Sequence, residues 1–220
     1  MEATIKTFIY IHAFFGGLGL ITGIGSIICT KGSKAHKRMG KLFSLGMITS
    51  SFISIPIACM PNHENVFLLL IGLFTIYLVV SGNQIMTFKS KNKKEATVID
   101  KIISGTMLFL STLMVVYGSY GLILGNMGYL LFVFFGGFGL SLSIRDFIFY
   151  KKFRSTKKGW LANHIGKMVG ALIASFTAFI VAGLGFDTLL AWTLPTILGT
   201  IYIVSWRRKM NAKMPVKPLT

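Results

Sequence analysis

The chain has 220 residues, of which 53% are hydrophobic and 13% are charged, with a formal net charge of +17. A soluble domain would carry about 25% charged residues, so composition excludes a soluble globular protein. Apolar runs of about 20 residues recur along the whole chain, and a helix of that length crosses a bilayer. The sequence therefore predicts an all-α integral membrane protein in which 1–220 form a single membrane domain.

Seven membrane-spanning helices are predicted, and short turns alternate with basic segments between them. The first apolar run is too long for the core of a signal peptide, so it is interpreted as the first span. Tight turns are expected at Gly125-Asn126 and around Gly185, while Pro56 and Pro195 should kink the spans that contain them. In chain order the spans cover 7–29, 41–60, 66–88, 101–124, 127–149, 164–184 and 188–206.

Lysine and arginine are strongly segregated between the two ends of the predicted spans. Of the 23 lysines and arginines, all but Lys6 belong to the segments around the ends of spans one, three, five and seven. The positive-inside rule then predicts an amino terminus outside the cell and a carboxyl terminus in the cytoplasm. Because orientation explains the positive charge, nucleic acid is not an expected partner, whereas the lipid bilayer and anionic lipid head groups are.

A short motif occurs twice and indicates an internal duplication. Residues 14–20 read FFGGLGL and 134–140 read FFGGFGL, and each copy precedes a basic segment with a histidine that opens the next span. This order predicts a seven-helix bundle of two parallel three-helix repeats around a fourth helix (3+1+3), which resembles the SWEET sugar carriers in topology alone. The paired glycines predict close helix contacts, with spans one and five central to their halves. The first repeat covers 1–88, the linker loop and fourth helix 89–125, the second repeat 126–206, and a basic cytoplasmic tail 207–220.

His36 and His164 occupy matching positions at the predicted cytoplasmic starts of spans two and six. The free N–H groups and the positive dipole at a helix start favour anions. A phosphate head group, a carboxylate solute or an anionic lipid would suit such a site; the alternative is that both histidines are separate interfacial anchors. The pattern predicts that the two imidazoles lie at similar depth beside a shared ligand, with contributions from Arg38, Lys41 and Lys167.

Two polar residues near the cytoplasmic ends of other spans extend this candidate ligand site. Asp146 is the one acidic residue expected to enter a span, where an ionisable group is a functional candidate. The alternative for Asp146 is an ion pair with Arg145 or a loop lysine. Asn83, together with Gln84, is expected to line a cavity.

Haem b is an alternative ligand, because the four histidines divide evenly between the two ends of the predicted bundle. Two histidines on each side is the arrangement that a two-haem, bis-histidine membrane cytochrome needs. Against this, the sequence places His36 and His63 in loops, whereas the ligands of such cytochromes lie inside spans. The candidates for a haem or metal are His12, His36, His63 and His164.

The stretch from Lys31-Gly32 to His36-Lys37-Arg38-Met39-Gly40 resembles a group of bacterial multipass membrane proteins of unknown function. Members of that group carry a glycine and then His-x-Arg-x-Gly at the start of the second span. The later stretch with Trp160, His164 and Lys167 is similar to the same group, with lysine where arginine is expected. The resemblance implies a bacterial inner-membrane location and no assigned activity. It singles out His36, Arg38, Gly40, Trp160, His164 and Lys167.

These observations favour a small carrier or binding protein for an anionic or amphiphilic ligand, with a basic site that faces the cytoplasm. No catalytic residue is identified, and enzymatic activity is not expected. The alternatives are a haem-binding electron-transfer protein and a non-catalytic membrane accessory subunit. The identity of the small-molecule ligand does not follow from the sequence, and a homo-oligomer is compatible with it.

Overall fold

The computed structural model describes residues 2–61, 64, 66–156, 158–186 and 188–212. This part of the chain is all helical and contains no strand. A 3₁₀ turn (Ile85–Lys89) continues the third helix, another (Met127–Tyr129) precedes the fifth, and a π-helical turn (Phe179–Gly183) follows the sixth. The α-helices are α1 (Glu2–Ile28), α2 (Lys34–Ile57), α3 (Val66–Gln84), α4 (Val98–Ile123), α5 (Leu130–Lys152), α6 (Gly159–Ala178) and α7 (Leu189–Ala212).

The helices agree in number with the seven predicted spans, and most have the character of membrane spans. Six of them, α1 to α6 with their short extensions, are long and apolar enough to cross a bilayer. The seventh, α7, has 24 residues but is not one of these six. The prediction of an all-helical fold is therefore confirmed for the described residues, and the six long apolar helices suggest a multipass membrane protein.

Two helices at the basic end begin earlier than the sequence predicts. α2 starts at Lys34 instead of residue 41, because Ser33 is extended and its side chain accepts a hydrogen bond from the His36 backbone N–H. A serine in that position stabilises a helix start by about 1 kcal/mol. α6 starts at Gly159 instead of 164, after Lys158 in the left-handed region (φ 60°). Both histidines therefore lie inside helices, and the expectation of a loop at His36 is wrong.

The helix α3 lies at the centre of the bundle and contacts α2, α4, α5 and α6. Its Leu78 and Val79 are almost completely buried, with exposed fractions of 1% and 0%. Around them pack Phe43 from α2, Met107 from α4 and Ala171 from α6. The expectation that spans one and five are central to their halves is wrong, because α1 contacts mainly α2 and α5 contacts mainly α4, and both helices have exposed apolar faces.

The duplicated glycine motif makes the same kind of contact in both copies. In α1, a Cβ placed on Gly19 would collide with the side chain of Met47 in α2. In α5, a Cβ placed on Gly139 would collide with Ser111 and Met107 in α4. Each of these glycines therefore lets two helices pack closely, which is the main source of helix association in lipid.

The helix pairing around these two contacts does not follow the order of the predicted repeat. α1 packs mainly along α2, the helix that follows it, whereas α5 packs mainly along α4, the helix that precedes it. The predicted repeat would instead pair α5 with α6. The similarity of the two motifs thus extends to one helix–helix contact, and the equivalence of 1–88 with 126–206 stays a prediction.

Candidate ligand site at the basic end of the bundle

A cavity of about 580 Å³ opens at the end of the bundle where the basic segments meet. Residues of α1, α2, α6 and α7 line it, together with residues at the end of α3 and its 3₁₀ extension. The link between α1 and α2, the end of α3 and the start of α6 therefore lie at one end. The volume is within the range of about 300–1,000 Å³ that is typical of small-molecule sites.

The two histidines that the sequence pairs, His36 and His164, both line this cavity. The Nδ1 atom of His36 lies 3.0 Å from the backbone oxygen of Ser26 in α1, and that of His164 lies 2.7 Å from the backbone oxygen of Gly82 in α3. A carbonyl oxygen can only accept, so each Nδ1 carries the proton and donates. In both rings Nε2 is consequently the nitrogen that is left for another partner.

Four lysines line the cavity, and no aspartate or glutamate is found among its described lining residues. Lys31 is partly engaged, since its Nζ donates to the backbone oxygens of Ser26 (2.9 Å) and Ile27 (2.5 Å) at the end of α1. Lys89 lies over the ring of Trp160, with Nζ 5.8 Å from the ring centroid. Lys37 and Lys41 have no ion pair or hydrogen bond to any described residue. The cavity is therefore positively charged without internal neutralisation.

Apolar and aromatic side chains also line the cavity. Phe43 enters from α2, Met168 and Leu172 from α6, and Tyr202 and Trp206 from α7. Lys31 also lies over both α7 rings, with Nζ 5.7 Å from each centroid. The combination of cationic and apolar lining is the surface that an amphiphilic anion requires.

The structure brings together only some of the residues predicted for this site. His36, Lys41, Asn83 and His164 line the cavity. Arg38 does not, because it is exposed on another face of α2. Asn83 also donates through Nδ2 to the Ser44 hydroxyl oxygen at 2.9 Å, which fixes its amide against α2.

Asp146 and Lys167 form a separate buried ion pair and are not part of the cavity lining. The Lys167 Nζ lies 2.6 Å from Asp146 Oδ2, and the two side chains are 3% and 1% exposed. The same oxygen accepts from the Tyr77 hydroxyl (2.9 Å) and the Ser104 hydroxyl (2.7 Å). Among the described residues Asp146 does not pair with Arg145; its partner is Lys167, a lysine of the basic stretch after span five that lies inside α6. Assigning Asp146 and Lys167 to the ligand site is thus not supported: they join α3, α4, α5 and α6 in the core.

His12 does not line the cavity. The Nδ1 atom of His12 lies 2.9 Å from the backbone oxygen of Ser50 and 3.0 Å from its hydroxyl, so this ring ties α1 to α2. His63 lies outside the described residues. In the described part of the chain, no group of three or more histidine, cysteine, aspartate or glutamate side chains could hold a metal ion.

Several lining residues were not selected from the sequence, namely Lys31, Lys37, Lys89, Tyr202 and Trp206. Lys37 follows His36 directly, which could have indicated it as a lining residue. Its positive charge alone did not show that Lys37 lines the cavity and Arg38 does not. The α7 aromatic residues carried no signal, because an aromatic pair four residues apart is common in any apolar helix.

Comparisons of the chain with protein families, with curated proteins and with solved structures find no match. The interpretation of the cavity therefore rests on its own residues and their geometry.

Proposed function

We propose that this chain is a multipass membrane protein that binds, as a small carrier or binding protein, an anionic amphiphile at the basic end of its bundle. One observation carries the proposal: Lys37 and Lys41, which have no counter-ion among the described residues, border a cavity that is otherwise lined largely by apolar and aromatic side chains. An anionic head group would neutralise these cations, while its hydrocarbon part would be removed from water. Burial of apolar surface contributes about 25 cal/mol per Å² to such binding.

We further propose that this end of the bundle faces the cytoplasm and that the membrane is a bacterial inner membrane. The first statement is supported by the segregation of the basic residues, the second by the sequence resemblance around His36 and His164. A carboxyl-terminal fusion to a protein that fluoresces only in the cytoplasm should be bright. Activity of a periplasm-dependent alkaline phosphatase at that terminus would overturn the orientation.

Binding can be measured directly, because Trp160 and Trp206 line the cavity. The full chain in nanodiscs of zwitterionic lipid would be titrated with an alkyl phosphate whose chain carries bromine, a contact quencher of tryptophan fluorescence. We expect saturable quenching by the phosphate, and much weaker quenching by a trimethylammonium compound with the same brominated chain. Equal quenching by both compounds would contradict a site for anions.

The chain offers a matched control for the charge requirement. Lys37→Gln and Lys41→Gln each remove a cation from the cavity, whereas Arg38→Gln removes one from an adjacent residue that does not line it. Loss of a charge-assisted contact costs about 1.5–3 kcal/mol, which corresponds to a roughly 10- to 150-fold weaker affinity. Arg38→Gln should leave the affinity nearly unchanged. Equal effects of all three substitutions would show that only the general surface charge matters.

A further inference from the structure

The arrangement of the two cavity histidines is more specific than a basic site for anions requires. Each imidazole is held through Nδ1 on a backbone carbonyl, by Ser26 for His36 and by Gly82 for His164. This is the outer hydrogen bond that metal-bound histidines commonly make, because it fixes the tautomer and the orientation of the ring. In both rings, no other hydrogen bond is found among the described residues, and both rings line the same cavity.

Two imidazoles alone do not make a site for a bare metal ion. A structural zinc ion takes four protein ligands and a catalytic one takes three. Within the described residues no such group of histidine, cysteine, aspartate or glutamate exists. Two imidazoles do suffice for an iron ion that already has four nitrogen ligands from a porphyrin.

The wall beside His36 leaves room for a flat ligand. Gly40 lies one turn after His36, on the same face of α2, and also lines the cavity. A Cβ placed on Gly40 would have no heavy atom within 4 Å, so the space beside this backbone is open. Phe43 and Met168 provide apolar surface in the same cavity.

We infer that the cavity binds an iron porphyrin, haem b, with His36 and His164 as its two axial ligands. This inference rests on the proposed function, because haem b is itself an anionic amphiphile with an apolar macrocycle and two carboxylates. Lys37 and Lys41, which are free of other partners among the described residues, pair with the propionates. The objection that His36 belongs to a loop is removed, because α2 begins at Lys34.

The test is reconstitution of the purified full chain with haemin, followed by absorption spectroscopy. We expect stoichiometric binding and the spectrum of a six-coordinate, low-spin haem. His36→Gly and His164→Gly should each abolish the low-spin spectrum and weaken binding at least about 10-fold, since even substitutions of outer hydrogen-bond partners cost that much. His12→Gly, which alters a histidine outside the cavity, should retain the low-spin spectrum.

Added imidazole distinguishes a lost ligand from a lost fold. Imidazole should enter the space left in His36→Gly or His164→Gly and restore the low-spin spectrum. Iron-free protoporphyrin provides the second reference, because it has the same shape and carboxylates but cannot bind an axial ligand. Its binding should be weaker than that of haemin in the wild type, and this difference should be smaller in the two glycine variants, each of which keeps one axial histidine.

Two other outcomes separate this inference from the proposed function. If brominated alkyl phosphate binds but haemin does not bind, or binds without a low-spin spectrum, the haem inference is overturned and the amphiphile site remains. Equal binding of haemin and iron-free protoporphyrin to the wild type would overturn it in the same way. If neither haemin nor alkyl phosphate binds, both proposals fail.

Discussion

Two lysines at the same end of the bundle have opposite environments. Lys41 borders the cavity, is exposed and has no counter-ion among the described residues. Lys167 is 3% exposed and donates to Asp146 in the core. A charge removed from water must be paired, and one that remains at the boundary can stay available for a ligand. A lysine that is close in sequence to His36 or His164 therefore does not necessarily line the cavity.

The cavity and the buried ion pair between Asp146 and Lys167 lie close together. Lys167 lies three residues after His164 on α6, and both pack against Gly82 of α3: His164 through a hydrogen bond, Lys167 through its Cβ region. The contact between α3 and α6 therefore places His164 at the cavity and Lys167 in the buried ion pair with Asp146. The substitutions below test whether these two roles are separate.

The largest expected effect is on the buried ion pair. Asp146→Asn or Lys167→Met leaves one charged group without its partner in the core, which typically costs about 3–5 kcal/mol. The midpoint of thermal unfolding in detergent should fall strongly for both single variants. The double variant Asp146→Asn with Lys167→Met should recover part of the loss, because neither charge remains. A double variant that is less stable than both singles would contradict a role as a paired charge.

The next largest effect is expected at the glycine contacts. Gly19→Leu and Gly139→Leu would force α1 from α2 and α5 from α4, and overpacking of this kind costs about 1–3 kcal/mol or more. The controls lie in the same motifs: Gly17 and Gly137 have no heavy atom within 4 Å of an added Cβ. Gly17→Leu and Gly137→Leu should keep the expression level of the wild type. Similar loss in all four variants would show that glycine content, and not helix approach, is what matters.

The hydroxyl groups around Asp146 should have a smaller effect than its charged partner. Tyr77→Phe and Ser104→Ala each remove one hydrogen bond to Oδ2 and leave the Lys167 contact intact. Hydrogen bonds to a charged group contribute about 1.5–3 kcal/mol. Ser44→Ala, which removes the exposed bond with Asn83, is the matched control and should lower the unfolding midpoint less. Equal shifts for Ser104→Ala and Ser44→Ala would place the cluster outside the core.

The features that follow from hydropathy and charge could be predicted from the sequence. The number of helices, the common basic end and the convergence of His36 with His164 all follow from span length and alternation of direction. The position of Lys167 could not be predicted, because its counter-ion is on a different helix and no short spacing links it to Asp146. The central place of α3 was missed because an apolar helix looks the same whether lipid or protein surrounds it. The early start of α2 was missed because its first turn is basic, although Ser33 provided a capping signal.

The smallest expected effect concerns that capping serine. Ser33→Ala removes the acceptor for the His36 backbone N–H, which typically costs about 1 kcal/mol, and frays the first turn of α2. The buried ion pair is attached to α3, α4, α5 and α6 and not to α2, so its contribution should not change. Ligand affinity should fall more than the unfolding midpoint does, because fraying moves His36 and Lys37 while leaving the core in place. Ser155→Ala is the control, since among the described residues this exposed hydroxyl donates only to the Lys152 backbone oxygen at the end of α5. Ser33→Ala and Ser155→Ala proteins with the same affinity for alkyl phosphate would mean that the start of α2 does not position the site.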